Sequence, residues 1–194
     1  NRGYDGWMDE LAVYPTVLSD STIAAHYDAA TTNSAGYGAQ ILADGPRGYW
    51  NLDEPAVSPP ALNTLPIAAN SGSEGSAADG TNMWGTLAAQ AGADYPGFGA
   101  GNNAVFFNGE SGYVALQDAA GLHFPGQVTM MAWIKPQVQD FFRDIIAHGW
   151  DVNYAETFLR ISRGDIGDGY GDGNYYEVGV SDGPTYYDAA RFPI

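Results

Sequence analysis

The sequence predicts an all-β protein made of short antiparallel strands, and three observations indicate this fold class. From Val128 to Ile134 alternate residues share one face of an extended chain, which is the period-2 pattern of a strand. Comparable apolar runs at 104–107 and 113–116 are separated by turn-forming clusters such as Asn108-Gly109. The composition, with 26 Gly, 11 Pro and 13% aromatic residues, is typical of many strands joined by tight turns.

The charge balance bounds the partners of the chain. With 23 acidic residues against seven Lys and Arg, the formal net charge is −16, which excludes nucleic acid and disfavours anionic membrane surfaces as partners. No apolar segment is long enough for membrane insertion. The absence of cysteine excludes disulfides, thiolate metal sites and a cysteine nucleophile. An acidic surface favours solubility and divalent cations, and it is frequent on secreted proteins.

The N-terminal part predicts one strand and one short helix. In residues 6–14, GWMDELAVY, apolar positions occur on both faces of an extended chain, and Pro15 ends the strand. Ser19 is the predicted N-cap of a helix that begins at Asp20 and runs to about Ala29. Ile23 and Tyr27 are expected on the apolar side of this helix.

The rest of the chain divides at a small, polar stretch over residues 31–46, which we interpret as a linker. A strand is predicted at 48–52, followed by a long irregular excursion over 55–101 with a weakly signalled strand near 83–87. Later strands are predicted at 144–148, 157–162 and 175–180. In the last of these, Tyr176, Val178 and Val180 are expected to face inward and Glu177 outward.

Three motifs in this order carry a resemblance to a known family. GYWNLDE at 48–54, AVFFNGESGYVAL at 104–116 and VTMMAWIKP at 128–136 resemble the opening half of a laminin-G-like domain of the concanavalin A-like lectin/glucanase superfamily. Residues 6–27 resemble the closing strand and helix of the same kind of domain. The resemblance implies an antiparallel two-sheet jelly-roll sandwich with one short helix near the N-terminus.

The order of these motifs predicts how the chain is organised. Residues 1–30 would be the closing part of one unit, 31–46 a linker, and 47–194 the opening part of the next unit, incomplete at its C-terminus. The chain begins with Asn1 rather than Met, which agrees with a segment of a longer protein. We therefore expect self-association or neighbouring repeats as partners, because open sheet edges invite a partner strand from another chain.

The resemblance also implies a function. We expect a non-catalytic adhesion or structural module, located outside the cell or at its surface, in a tandem-repeat surface protein or a filament subunit. The alternative is a calcium-dependent carbohydrate-binding module with glycans as partners. Exposed Trp150, Tyr154, Tyr175 and Tyr186 are its candidate sugar-stacking residues, although aromatic residues in strands are more often core.

Calcium is the one cofactor that the sequence suggests, at either of two places. The family often carries a structural calcium near its first and last strands, and Asp9, Glu10, Asp53 and Glu54 resemble those positions. Asp9 also shares its predicted face with apolar residues, where a carboxylate needs a cation or several hydrogen bonds. In the alternative interpretation Asp9 lies at a strand end in water.

The second candidate calcium site is the glycine-rich loop 163–174, RGDIGDGYGDGN. It contains Asp165, Asp168 and Asp172, but their spacing does not follow the EF-hand pattern. The alternative is a flexible acidic hairpin loop without a metal.

No residue pattern indicates catalysis. Retaining glycosidases need two carboxyl groups about 5 Å apart on one face, whereas Asp9 and Glu10 are adjacent on a predicted strand and should point to opposite faces. No run of alternating acids occurs elsewhere in the sequence. His26, His123 and His148 are far apart in the sequence, and we interpret them as incidental.

Overall fold

The computed structural model describes most of the chain and confirms the all-β class. The described residues are 3–32, 36–56, 65–124, 126–139, 142–148, 155–163, 174–182 and 187–194. Within them lie two α-helices, α1 (Asp20–Thr32) and α2 (Tyr37–Ala43), and twelve strands. The strands are β1 (Asp5–Tyr14), β2 (Gly48–Trp50), β3 (Ile67–Ala68), β4 (Gly80–Asn82), β5 (Thr86–Ala91), β6 (Asn103–Asn108), β7 (Val114–Leu116), β8 (Thr129–Pro136), β9 (Arg143–His148), β10 (Ala155–Arg163), β11 (Asn174–Asp182) and β12 (Tyr187–Pro193).

The chain forms two compact units. The larger unit comprises Trp7–Phe107 and Ser111–Lys135, and the smaller unit comprises Asn1–Gly6, Asn108–Glu110 and Pro136–Ile194. In a five-stranded sheet the order is β2-β1-β6-β5, with β8 also paired to β1. The three-stranded sheet β3-β4-β7 belongs to the larger unit, and the four-stranded sheet β12-β11-β10-β9 belongs to the smaller unit.

Strand β1 is the centre of the five-stranded sheet. It pairs antiparallel with β2, with Leu11 opposite Trp50, Ala12 opposite Tyr49 and Val13 opposite Gly48. Because β6 and β8 also pair with this strand, every residue from Met8 to Tyr14 is buried. The two-faced apolar composition of residues 6–14 is thus that of a central strand.

The pairing of β1 with β2 bears on the predicted division of the chain into a closing segment, a linker and an opening segment. By sequence, residues 1–30 resemble a closing segment that would complete a neighbouring copy. In the structure β1 pairs with the strand that begins at Gly48 in the same chain.

Helix α1 begins where the sequence predicts but buries a different side. The Ser19 Oγ accepts a hydrogen bond from the Thr22 backbone N–H at 3.1 Å, as an N-cap does. The helix continues to Thr32, past the predicted end at Ala29. The prediction of an apolar side at Ile23 and Tyr27 was wrong, because both side chains are largely exposed and the helix buries small residues and one histidine instead, namely His26, Ala29 and Ala30.

Helix α2 lies within the segment that we interpreted as a linker. Its Tyr37 and Ile41 side chains are buried in the same core cluster as Ala30 and Tyr49. Small and polar residues surround these two anchors in the sequence, so the composition gave no indication of a helix. The helix is only seven residues long, and packing rather than propensity stabilises it.

The excursion over 55–101 contains more strand than its composition indicated. The weakly signalled strand near 83–87 is displaced, because β4 ends at Asn82 and β5 begins at Thr86. Ala89 in β5 has a positive φ of 54°, and the pairing register with β6 shifts between Leu87 and Gln90. This irregularity bends an edge strand, which limits further pairing at that edge.

The four-stranded sheet of the smaller unit reverses the predicted orientation of β11. Glu177 was expected to face outward, but its side chain is fully buried at 0% exposure, whereas Val180 is 40% exposed. Glu177 lies opposite Arg160 on β10 and opposite Arg191 on β12. Strand β12 itself was not predicted, since the residues near Phe192 show no alternating apolar pattern.

Candidate functional site

The most unusual group of side chains in the larger unit is a cluster of acids around strand β1. Asp9 and Glu10 are 3% and 6% exposed, although both carry a carboxyl group. Glu10 has a backbone φ of +55°, which residues other than glycine rarely adopt. This conformation interrupts the regular geometry of the strand at Glu10.

Asp9 is buried with only part of its hydrogen-bonding capacity used. Its Oδ2 accepts a hydrogen bond from the Asn102 amide at 2.7 Å, whereas its Oδ1 has no hydrogen-bond partner. The Gly92 backbone approaches the same carboxylate so closely that a Cβ at this position would overlap Asp9 Oδ2 and Asn102 Nδ2. A glycine is therefore required for the backbone to pass this close.

Glu10 is held by a tyrosine from the neighbouring strand. The Tyr49 hydroxyl donates a short hydrogen bond to Glu10 Oε2, and both side chains are buried. Tyr49 belongs to the hydrophobic core cluster with Tyr14 and Tyr37. Burial and the neighbouring Glu10 raise the pKa of the Tyr49 hydroxyl, so it stays a neutral donor.

Asp53 brings a third carboxylate to the cluster from the segment after β2. Its Oδ1 accepts a hydrogen bond from the Asn103 backbone N–H at 2.7 Å, and its Oδ2 accepts one from the Asn51 amide at 3.0 Å. These bonds fix an exposed side chain close to the buried pair. The negative charge of Asp53 is one of the influences that raise the pKa of both Asp9 and Glu10.

Burial is the main reason that both pKa values are raised. Loss of solvation raises the pKa of Asp9 to about 7 against the lowering effect of the Asn102 hydrogen bond. Loss of solvation likewise raises the pKa of Glu10 to about 8 against the hydrogen bond from Tyr49. The cluster is therefore short of positive charge.

Glu54 extends the acidic group away from β1. It is buried, its Oε2 has no hydrogen-bond partner, and burial, aided by the charge of Asp53, raises its pKa. Leu52, two residues before Glu54, has a φ of +57° and is buried. This turn-like conformation sends Asp53 outward and Glu54 inward.

The acids around β1 offer the carboxylate oxygens that a hard divalent cation prefers, but Asp9, Glu10 and Asp53 do not bring one oxygen each within 4.8 Å of one another. Asp9, Glu10 and Asp53 offer carboxylate oxygens only, and calcium is bound by six to eight oxygen ligands from carboxylates, carbonyls and water. In the described part of the chain neither Lys nor Arg forms an ion pair with any of these three carboxylates. The unpartnered Asp9 Oδ1 is an orphaned buried oxygen of the kind that a cation would satisfy.

The other predicted site residues are not brought together in the described residues. Asp165, Asp168 and Asp172 lie outside the described residues, as do Trp150, Tyr154 and Tyr186. Tyr175 is described and half-buried. It lies opposite Ser162 and Pro193, on the face of β11 that also carries Glu177.

Sequence reasoning missed the neutral partners of the acids and one contact between a histidine and an aspartate. Asn102, Tyr49 and Gly92 carried no signal by themselves, because amide, phenol and glycine positions of this kind are common in strands and turns. His26, interpreted as incidental, is fully buried, with its Nε2 at 2.8 Å from Asp44 Oδ2. Its position three and four residues before Ala29 and Ala30 was the available signal, since these residues share a helix face.

Comparison with known proteins adds no assignment to this geometry. No family model, no curated protein and no solved structure matches the chain. The two helices in the described part of the chain are too short and too polar to cross a membrane.

Proposed function

We propose that the chain is a non-catalytic adhesion or structural module of extracellular or cell-surface type, and that a divalent cation, calcium, completes its acid cluster. The observation that carries the cation is the carboxylate of Asp9, which is almost fully buried and has one oxygen without a partner. Asp9, Glu10 and Asp53 would hold the ion once their carboxylates move closer together than in this structure, and Glu54 is a further acid nearby. The cation would supply charge neutralisation and cross-link β1 to the segment after β2.

The burial of the acids supports a structural rather than a catalytic role. A catalytic carboxyl group must come within hydrogen-bond reach of the reacting atoms, directly or through one water, and the Asp9 and Glu10 side chains are only 3% and 6% exposed. An open depression of about 370 Å³ in the larger unit contains none of the predicted acids. Its lining residues are Pro15, Arg47, Ala120, Gly121, His123, Phe124, Gly126 and Gln127.

The proposed architecture is the two-sheet jelly roll of laminin-G-like domains. The antiparallel pairing of β1 with β2 supports it, because the segments that resemble the last and first strands of that fold are neighbours here. We further propose neighbouring repeats or other copies of the chain as partners, since β12 is an edge of its sheet in the described residues. A strand edge offers unpaired backbone groups to another chain.

Calcium titration followed by thermal unfolding tests the cation. Purified full-length chain is first treated with chelator and then unfolded in increasing calcium, with magnesium as the comparison ion. Ligand that binds only the native state stabilises it by about 2.7 kcal/mol at a free concentration of one hundred times Kd. We expect the Tm to rise with calcium, and to rise less with magnesium, which demands a stricter octahedral geometry.

Matched variants assign the effect to the cluster. Asp9→Asn and Asp53→Asn should abolish the calcium-dependent rise in Tm. Asp28→Asn, which removes an exposed carboxylate on helix α1 of the larger unit, should leave it unchanged. A wild-type Tm that does not respond to calcium, or an equal response in Asp9→Asn, would reject the cation site.

A second experiment separates the structural role from the carbohydrate-binding alternative. The chain is analysed by size-exclusion chromatography with light scattering over a hundredfold range of protein concentration, alone and mixed with a covalent tandem of two copies. The structural role predicts that the chain assembles with itself or with the tandem. Binding to a glycan array that is lost in chelator, with no assembly, would favour the carbohydrate-binding module instead.

A further inference from the structure

An aromatic surface in the larger unit lies outside the acid cluster and has no role in the proposed function. Tyr27 on α1 is 57% exposed and Tyr95, before a short 3-10 turn, is 43% exposed. Both rings contact the half-buried Trp133 on β8, with ring centroids 6.1 Å and 5.4 Å apart. The Tyr27 and Trp133 planes differ by only 11°, so these two rings are stacked. We call Tyr27, Trp133 and Tyr95 the aromatic platform.

The hydrophobic core holds the platform in place from below. Trp133 contacts Phe98 edge-on at 5.2 Å and Tyr37 edge-on at 6.2 Å between centroids. Tyr37 is buried and packs edge-on against Phe98 at 4.9 Å. Because the central ring is fixed by these contacts, the platform is preorganised, and a ligand would not need to order it.

A close backbone contact brings the two exposed tyrosines together. A Cβ at Gly97 would overlap the backbone of Ala29 and Ala30, so the turn that follows Tyr95 packs directly on α1. Tyr27 precedes this contact by less than one helical turn. Three separate segments of the chain thus converge on Trp133.

Electrostatics indicates the chemistry of the occupant. The larger unit contains eleven Asp and Glu residues but only Arg47 and Lys135 as cations. Arg47 bonds to Glu74 at 3.1 Å, and the Lys135 ammonium lies 5.3 Å from the centroid of the Trp7 ring. The unit therefore has an excess of negative charge and already places a cation over one tryptophan.

Two exposed acids flank the platform in the sequence. Asp28 follows Tyr27, and Asp94 precedes Tyr95. Aromatic faces attract guanidinium and ammonium groups, and arginine also stacks on rings through its planar guanidinium. A neutral sugar ring would gain nothing from the surrounding negative potential, whereas an arginine gains from the rings and from the charge.

We propose that the aromatic platform is a docking surface for an arginine-bearing segment of a partner protein. The partner's guanidinium stacks on the exposed faces of Tyr27 and Tyr95 beside Trp133, and Asp28 and Asp94 attract it. This inference is independent of the cation site, because it uses none of the same side chains.

Peptide titration on the full-length chain tests the proposal. The probe is a synthetic peptide with three arginines separated by glycines, compared with its lysine and glutamate counterparts by isothermal titration calorimetry in about 0.15 M salt. The Debye length is then about 8 Å, so attraction by the distant charges of the chain is largely screened. We expect the arginine peptide to bind at least threefold more tightly than the lysine peptide, and the glutamate peptide not to bind.

Variants at exposed rings keep the test falsifiable, because they leave the core intact. Tyr27→Ala and Tyr95→Ala should each weaken arginine-peptide binding by about fivefold. Tyr27→Phe should retain it, as should Tyr113→Ala, which removes another exposed tyrosine of the larger unit. Circular dichroism checks that each variant is folded.

Three outcomes would overturn the proposal. They are the absence of arginine-peptide binding at millimolar concentration, equal binding by the Tyr27→Ala/Tyr95→Ala double variant, and binding of oligosaccharides that depends on the same two rings. The last outcome would make the platform a sugar-binding surface.

Discussion

Glu177 in the smaller unit and Asp9 in the larger unit are both carboxylates buried in a sheet, but their surroundings are opposite. Both oxygens of Glu177 face guanidinium groups, with Arg160 Nε at 2.7 Å and Arg191 Nε at 2.9 Å. The Asp9 carboxylate interacts with the neutral Asn102 amide and with the backbone N–H groups of Ala93 and Glu10, and its Oδ1 has no direct hydrogen-bond partner. One carboxylate is therefore compensated by the chain itself, whereas the other is not.

The comparison shows what a buried acid requires. A carboxylate that leaves water loses several kcal/mol of solvation, which ion pairs and hydrogen bonds with good geometry can return. The two strands beside β11 supply the missing charge to Glu177, since Arg160 and Arg191 lie directly opposite it in register. Around Asp9 the neighbouring acids Glu10 and Asp53 increase the deficit instead. A cation bound from outside the chain would supply the positive charge that is missing around Asp9.

The largest expected loss of stability comes from removing the charge of Glu177, which the two neighbouring arginines compensate. Glu177→Gln leaves two buried guanidinium groups facing a neutral amide, and removing one partner of a buried ion pair typically costs about 3–5 kcal/mol. We expect the free energy of unfolding, measured by urea denaturation, to fall by this amount whether calcium or chelator is present. Val180→Thr, at an exposed position of the same strand, serves as the control and should change it by less than about 0.5 kcal/mol. A loss at Glu177 as small as the control would mean that the two ion pairs are not needed.

Removing a neutral donor from the uncompensated cluster should cost less. Tyr49→Phe deletes the hydroxyl that donates to Glu10, and a buried acceptor left without its partner costs about 1–3 kcal/mol. The matched control is Tyr14→Phe, because the Tyr14 hydroxyl is equally buried but its bond to the Ile41 carbonyl is long, at 3.5 Å. Urea denaturation should show a clear loss for Tyr49→Phe and a smaller one for Tyr14→Phe. Equal losses would indicate that the Glu10 contact contributes nothing specific.

The two regions also differ in how far the sequence predicts them. Strand β11 was predicted within two residues of its ends, yet its orientation was wrong, because the alternating tyrosine and valine residues made Glu177 look exposed. Charged residues are almost never fully buried unless paired. The pairing depends on the register with Arg160 and Arg191, and strand β12, which carries Arg191, had no apolar pattern to reveal it.

In the larger unit the sequence predicted the acids but not what surrounds them. Asp9 stood out because its neighbours two residues away are apolar, which a buried central strand explains. The φ of +55° at Glu10 could not be predicted, since it depends on strands that are distant in sequence. The same limit applies to helix α2, where two anchors in a polar segment, Tyr37 and Ile41, depend on tertiary packing.

Asp44 provides an intermediate case, because it is partly exposed and bonded to a buried histidine. Hydrogen bonds from His26 and then Gln40 hold the pKa of Asp44 below its usual value. A carboxylate whose pKa is lowered by folding stabilises the native state above its ordinary pKa, and this contribution is lost as the pH falls through the lowered value. The difference in urea midpoint between wild type and Asp44→Asn should be constant above about pH 5 and shrink toward about pH 3. A difference that does not change with pH would show that the charge of Asp44 has no part in the contact.

The smallest expected change in stability is also the one that separates the two carboxylates most sharply. In chelator, Asp9→Asn replaces a buried, uncompensated charge by an amide of the same shape, so the free energy of unfolding should stay within about 1 kcal/mol of wild type or rise. The corresponding change at Glu177 removes the partner of two arginines and should cost several times more. Parallel urea denaturation of both variants in chelator measures the contrast. A loss for Asp9→Asn as large as that for Glu177→Gln would mean that the Asn102 bond already compensates Asp9, and that the cluster has no need of a cation.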